Sequence, residues 1–183
     1  MSIYINSPFT EENVKELKAG DVVSISGTIY TARDAAHKRM TEMLDEGKEL
    51  PFDIKNQVIY YLGPCPAKEG QVIGSAGPTS SYRMDAYTPR LLDLGLKGMI
   101  GKGMRGPEVV ESMKKNKAVY FAAVGGAAAL ISKSIISEEI VAFEDLGTEA
   151  IRKLTVKNFP AVVIIDCEGN NLYELGRAQY KEV

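Results

Sequence analysis

The chain has 183 residues, 45% of them hydrophobic, with a formal net charge of −2 and its basic residues dispersed rather than gathered. This is enough for one domain with a core of its own, and it excludes the basic footprint that binding nucleic acid needs. No apolar stretch approaches the ~20 residues of a membrane span and no charged-then-apolar leader opens the sequence, so a cytoplasmic protein without a membrane segment is expected.

In chain order, residues 10–20 (TEENVKELKAG) read as a short helix with Thr10 as N-cap, acids in the first turn and Gly20 as terminator. Residues 21–29 (DVVSISGTI) alternate apolar and small polar side chains as a half-buried strand does, with Gly27 marking a bulge or a close backbone approach. A helix follows over 31–47, with Thr31 as its cap, Ala35, Ala36, Met40, Met43 and Leu44 as its apolar stripe and Gly47 at its end. Arg33 then falls in the first turn, where a cation opposes the helix dipole. Either it serves as a ligand group, or it pairs with an acid such as Asp34. His37, the only histidine, lies one turn on and faces the same side; a structural role competes there with a functional one.

Residues 57–62 (QVIYYL) predict a strand that ends in Gly-Pro-Cys-Pro, and a short strand is expected through 71–75. The next stretch, 74–83 (GSAGPTSSYR), has too many glycines and hydroxyls for a strand or a helix interior. It reads as a shaped loop feeding a helix over 84–94, or as an ordinary Gly-Ser turn. Leu91, Leu92 and Leu94 are expected inward, and Pro89 means that this helix starts near Thr88 or is kinked there. A short strand then enters KGMIGKGMRG, followed by a helix with Pro107 at its first position. Gly101, Gly103 and Gly106 match GxGxxG, but the following strand, 118–124, runs into Gly125 and Gly126 instead of a ribose-binding acid, and the phosphate-loop pattern fails at Leu96 and Gly103. What remains is Lys102 held by glycines at a strand end, as a ligand or as a solvated lysine.

The last third predicts a small-residue turn and helix near 125–131, an apolar stretch over 135–143, a short helical piece over 148–154 and a buried strand over 161–167. Strands and helices interchange throughout, which predicts an α/β class with parallel and antiparallel pairs. No linker splits the chain, so residues 1–183 are expected to form a single domain. Cys65 and Cys167 lie far apart without CxxC spacing, so neither a disulfide framework nor a self-contained metal or cluster site is indicated. Arg33, Arg83 and Lys102 each fall where a regular element meets a small-residue loop, and if they converge they form a pocket suited to a small dicarboxylate, with Thr79 as the nearest hydroxyl. Unaided, these residues stop at binding.

Three segments, GTIYTARDAAH (27–37), GPTSSYRMD (77–85) and KGMIGKG (97–103), resemble in order and spacing the motifs of the iron-sulfur hydro-lyases, specifically the β subunit or C-terminal domain of class I fumarate hydratase and L-tartrate dehydratase. The resemblance implies a swivelling β/β/α domain and a hetero-oligomer in which a [4Fe-4S] cluster is held by cysteines of a partner α subunit. It implies reversible hydration of fumarate to L-malate, or dehydration of tartrate. Carried over by position, the catalytic base falls on Thr79 and the substrate-binding cations on Arg33, Arg83 and Lys102. Asp34, His37, Gly77 and Ser80 are supporting positions. Ser80 stands where the family motif often has threonine, and Met104 where others carry a small or polar residue, which leaves substrate choice open. The reading from another class is a stand-alone anion-binding module.

Overall fold

The computed structural model of the chain describes residues 2–74, 76–123 and 128–181. Seven strands join in one sheet: β1 (Ile3–Ser7), β2 (Val22–Thr31), β3 (Val58–Tyr60), β4 (Gly98–Gly101), β5 (Val119–Ala123), β6 (Ile135–Ala142) and β7 (Ile151–Ile165). Six α-helices accompany them: α1 (Glu11–Glu16), α2 (Asp34–Asp45), α3 (Thr88–Asp93), α4 (Pro107–Asn116), α5 (Ala128–Ser134) and α6 (Leu172–Lys181). Short 3-10 turns cover Ser81–Met84 and Glu144–Glu149. The expected α/β class with mixed pairing is therefore observed.

Two long strands organise the sheet. β7 lies antiparallel along one edge of β2, while the other edge of β2 takes β1 and then β3, both parallel to it. The far edge of β7 takes β6 and then β5, both antiparallel. Because β3, β4 and β5 also pair in parallel, the ladder runs β2-β3-β4-β5-β7 and back to β2, closing on itself. Closure leaves two apolar faces to cover. Inside lie Ile25, Ile29, Val58, Tyr60, Phe121, Leu154 and Phe159, all essentially inaccessible, with Phe9, Val14 and Leu17 from the α1 region. On the outside, Ile59, Tyr61, Met99, Tyr120 and Ile151 are covered by Met40 of α2, Leu91 and Leu92 of α3, and Val109 and Met113 of α4.

Local signals account for many of the element ends. Thr10 and Asn13 form a reciprocal cap on α1, each side chain accepting from the other's backbone N–H. Gly27 is both a bulge and a close approach: the β2–β7 register shifts there, φ is +109°, and a Cβ would run into the carbonyl of Ser7. Pro89 falls in the first turn of a helix that begins at Thr88, which decides between the two expectations for that region. Pro107 opens α4 as expected.

Four expectations are corrected. Thr31 ends β2 and is buried, its Oγ1 accepting from the N–H of Arg152, so Arg33 takes the N-cap position of α2 and makes no side-chain cap. No strand forms at 71–74; Val72 is exposed and Ile73 turns inward alone. Leu94 is exposed, because α3 ends at Asp93 and Leu94 lies past its inward stripe. The stretch 151–154 is the start of β7, not a helix. Ile151 and Leu154 do have helical spacing, but they serve opposite faces of a strand covered on both sides. The expected turn at Gly125 and Gly126 lies outside the described residues, as does Ser75.

Candidate active site

Because β2, β3 and β4 are parallel neighbours, their C-terminal ends meet at one edge of the sheet. The C-terminal ends of parallel strands are where ligands commonly bind, in barrels as in open sheets. Arg33 follows β2, Gly63 and the loop carrying Thr79 to Arg83 follow β3, and Lys102 follows β4. Arg33 and Arg83 meet through Asp34, whose Oδ2 lies 3.3 Å from Nε of Arg83. Ser80 bridges in parallel to Lys102, and the N–H of Ser81 donates to the Lys102 carbonyl at 2.9 Å. The N–H of Thr79 donates to the Tyr61 carbonyl at 2.8 Å, which places this loop between the ends of β3 and β4 like a short extra strand. These contacts tie the Thr79–Arg83 loop to the start of α2 and to the end of β4.

The alternative that Arg33 pairs with Asp34 is replaced by a crossed arrangement. Asp34 faces Arg83, and the acid beside Arg33 is Glu149, its Oε1 3.9 Å from Nε. The same Glu149 oxygen accepts from the N–H of Ala35 at 3.2 Å, so a carboxylate from the turn before β7 caps α2 in place of a local side chain. Arg33 is about one-quarter exposed, and its guanidinium lies against Gly63. Among the described residues neither Arg33 nor Arg83 donates a side-chain hydrogen bond, so the planar forks of both remain available to a carboxylate. Lys102 is exposed, and Thr79 and Ser80 are half-buried. Gly77 is exposed with nothing within 4 Å of where a Cβ would stand, so no contact here explains it.

His37 sits beneath this surface, 1% exposed, its ring edge-on to Tyr61 with centroids 5.5 Å apart. Its Nδ1 lies 2.8 Å from the Arg33 carbonyl. A carbonyl only accepts, so Nδ1 carries the proton. Burial pushes the imidazole down to about 4, and the nearby Arg105 charge adds to this, so the ring is neutral at pH 7. Among the described residues the buried Nε2 has no partner, nor has the Tyr61 hydroxyl. Neutral and turned inward, His37 supports the backbone of Arg33 and offers no charge to a ligand.

Sequence reasoning missed the residues that clamp the loops together. The Arg105 side chain is fully buried; its Nε donates to Asp85 Oδ1 at 2.7 Å and its Nη2 to Thr88 Oγ1 at 2.9 Å. Its guanidinium also stands over the rings of Tyr61 and Tyr120, 5.2 and 5.0 Å from their centroids. The other Asp85 oxygen takes the N–H of Gly106 at 2.8 Å. The Tyr120 hydroxyl donates to the Gly103 carbonyl at 2.9 Å and lies 2.8 Å from Ser81 Oγ, while Tyr60 donates to the Ala76 carbonyl. The GxGxxG glycines serve this clamp. A Cβ on Gly101 would strike Ser81 Oγ, and Gly103 adopts a φ of +86°. An arginine between glycines carries no mark in the sequence that says it is buried; Asp85 stood within a quoted motif without a role.

Cys65 is exposed and Cys167 buried, and among the described residues no group of three His, Cys, Asp or Glu side chains could hold a metal ion. This chain's residues therefore do not fit an iron-sulfur cluster. No described helix is long and apolar enough to cross a membrane.

Residues 1–176 match the model of the family described as Fumarase C-terminus. The chain is 40% identical to a putative L(+)-tartrate dehydratase subunit beta of Methanocaldococcus jannaschii, over 93% of this chain and 91% of that protein. It is 37% identical to the aerobic class I fumarate hydratase of Salmonella typhimurium and 38% identical to that of Escherichia coli K12, each over 93% of this chain. It spans only 30% and 32% of the length of those two enzymes.

Proposed function

The chain belongs to the Fumarase C-terminus family, and from that premise we propose that it is the β-type part of an iron-sulfur hydro-lyase that interconverts fumarate and L-malate. The observation that carries this reading is that Arg33, the loop of Thr79 and Arg83, and Lys102 follow the ends of three adjacent parallel strands, with Asp34 against Arg83 and Ser80 bridged to Lys102. Two guanidinium forks suit the two carboxylates of a four-carbon diacid, and the lysine adds a point charge. Asp34 and Glu149 offset part of that charge.

In this reading Thr79 removes the proton from the carbon next to the hydroxyl-bearing carbon during dehydration and returns it during hydration. Its hydroxyl makes no hydrogen bond within the chain among the described residues, and in this reading a carboxylate of the α-type partner helps it move the proton. The three cations stabilise the negative charge that builds on the adjacent carboxylate as the C–H bond breaks. In this reading the [4Fe-4S] cluster is held by an α-type partner chain. As part of the same proposal, residues 1–183 act as one domain that swivels onto the partner, in a cytoplasmic hetero-oligomer. Dehydration of L-tartrate is the second reading, supported by the 40% identity to the M. jannaschii putative L(+)-tartrate dehydratase subunit beta.

The test is fumarate hydration by the oxygen-free chain, alone and mixed with a cluster-loaded α-type partner, with L-tartrate measured in parallel. Activity only in the mixture supports the reading. A formed complex with an intact cluster that turns over neither substrate overturns it.

A further inference from the structure

We propose that Gly63 is a positioning residue for Arg33: the missing side chain at Gly63 leaves the slot in which the guanidinium lies. The inference rests on reading Arg33 as a ligand for a substrate carboxylate. A Cβ on residue 63 would stand 2.6 Å from Nη1 and 2.8 Å from Cδ of Arg33, closer than real Cβ atoms come, and 3.2 Å from the Thr148 carbonyl oxygen.

Three features make Arg33 the part that would have to give way. The Thr148 carbonyl is held by Nη1 of Arg152 at 2.9 Å, and its neighbour Glu149 is tied to the N–H of Ala35, so that wall is fixed. On the other side Tyr61 and Leu62, leading from β3 to Gly63, are fully buried. Among the described residues Arg33 donates no side-chain hydrogen bond, and its buried Nε has only Glu149 nearby, at 3.9 Å. Shape, not a directional bond, therefore holds the guanidinium against Gly63. Gly63 does not occupy the left-handed backbone region, so alanine suits the chain there and its effect falls on the neighbouring side chain.

The experiment compares wild type, Gly63→Ala, Arg33→Ala and the double variant in the enzyme reconstituted with its cluster-bearing partner, using fumarate and L-tartrate. Gly63→Ala is expected to lower kcat/KM about tenfold, mostly through KM, and to change it by less than about twofold when Arg33 is already alanine. A second readout needs no partner: in the free chain the buried Nε–H of Arg33 should give a slowly exchanging NMR signal that Gly63→Ala shifts or abolishes. An equal loss in the Arg33→Ala background overturns the inference, since the effect would then not pass through Arg33. An unmoved Nε–H signal overturns it as well. A normal KM in Gly63→Ala beside a raised one in Arg33→Ala removes this inference and leaves the substrate reading intact; a normal KM in Arg33→Ala removes both.

Discussion

Nε of Arg105 lies 2.7 Å from Oδ1 of Asp85, joining the loop after β4 to the stretch that follows Arg83. The arginine is fully buried while the aspartate side chain keeps 21% exposure, so the two partners do not lose equally when the pair is broken. Asp85→Ala strands a buried guanidinium and also frees the N–H of Gly106. Its expected cost is about 3–5 kcal/mol in urea unfolding. A cost under about 1 kcal/mol would mean that the clamp does not hold these loops.

Thr79 and the two arginines should fail in different ways. Thr79→Ala is expected to lower kcat by at least ~100-fold with KM kept within a few-fold. Arg33→Ala and Arg83→Ala should each raise KM by roughly tenfold or more, through loss of a charge-assisted contact. Steady-state kinetics of the reconstituted enzyme reads the difference. Equal and mild effects from all three would sink the site assignment.

His37 makes stability depend on pH in a defined window. Its imidazole titrates at about 4 in the folded chain, against 6.5 for an unperturbed group. Between those values the unfolded chain binds the extra proton, so stability is lost as pH falls from about 6.5 toward 4 and is kept above that range. The full contribution is about 3 kcal/mol. His37→Gln can still donate to the Arg33 carbonyl but does not titrate, so its unfolding free energy should be flatter across the window. Parallel curves for the two proteins would show that the ring is accessible to protons when folded.

The Tyr120 hydroxyl joins Ser81 Oγ to the Gly103 carbonyl. Tyr120→Phe keeps the ring that Arg105 stands over and removes only this link, leaving buried Ser81 without its partner. About 1–3 kcal/mol of stability is expected to go. A weaker lysine contribution should accompany it, because the Ser81 N–H to Lys102 carbonyl bond lies in the same clamp. Chemical denaturation and KM for the diacid test the two parts separately.

Legibility followed how local the cause was. α1 could be read from its reciprocal cap, α4 from Pro107, and β2 from its alternation, because those signals act over a few residues. The start of β7 misled for a physical reason. A strand covered on both faces puts apolar residues at odd as well as even spacings, and Ile151 with Leu154 then imitates a helix. β1 and α6 drew no assignment, one a five-residue strand with Tyr4 in solvent, the other interrupted by Gly176. At the candidate site, Lys102 was visible between glycines, Arg33 as a cation at a helix start, and Thr79 and Arg83 in a loop of glycines and hydroxyls. Glu149, Gly63 and Arg105 were not, since their meaning depends on partners remote in the chain.

β7 also governs when the molecule can come into being. Val22 pairs with Val162, and β5 has no antiparallel neighbour until residues 161–165 are in place. A chain emerging from the ribosome therefore presents α2, the Thr79 loop and the Lys102 turn long before the strand that closes the ring exists. Contacts so distant in sequence make for slow folding. Until the last quarter of the chain arrives, Glu149 cannot reach α2, and Arg33 has neither its acid nor the Thr148 side of its slot. A nascent chain stalled before residue 150 should leave the edge that carries Arg33 without these contacts.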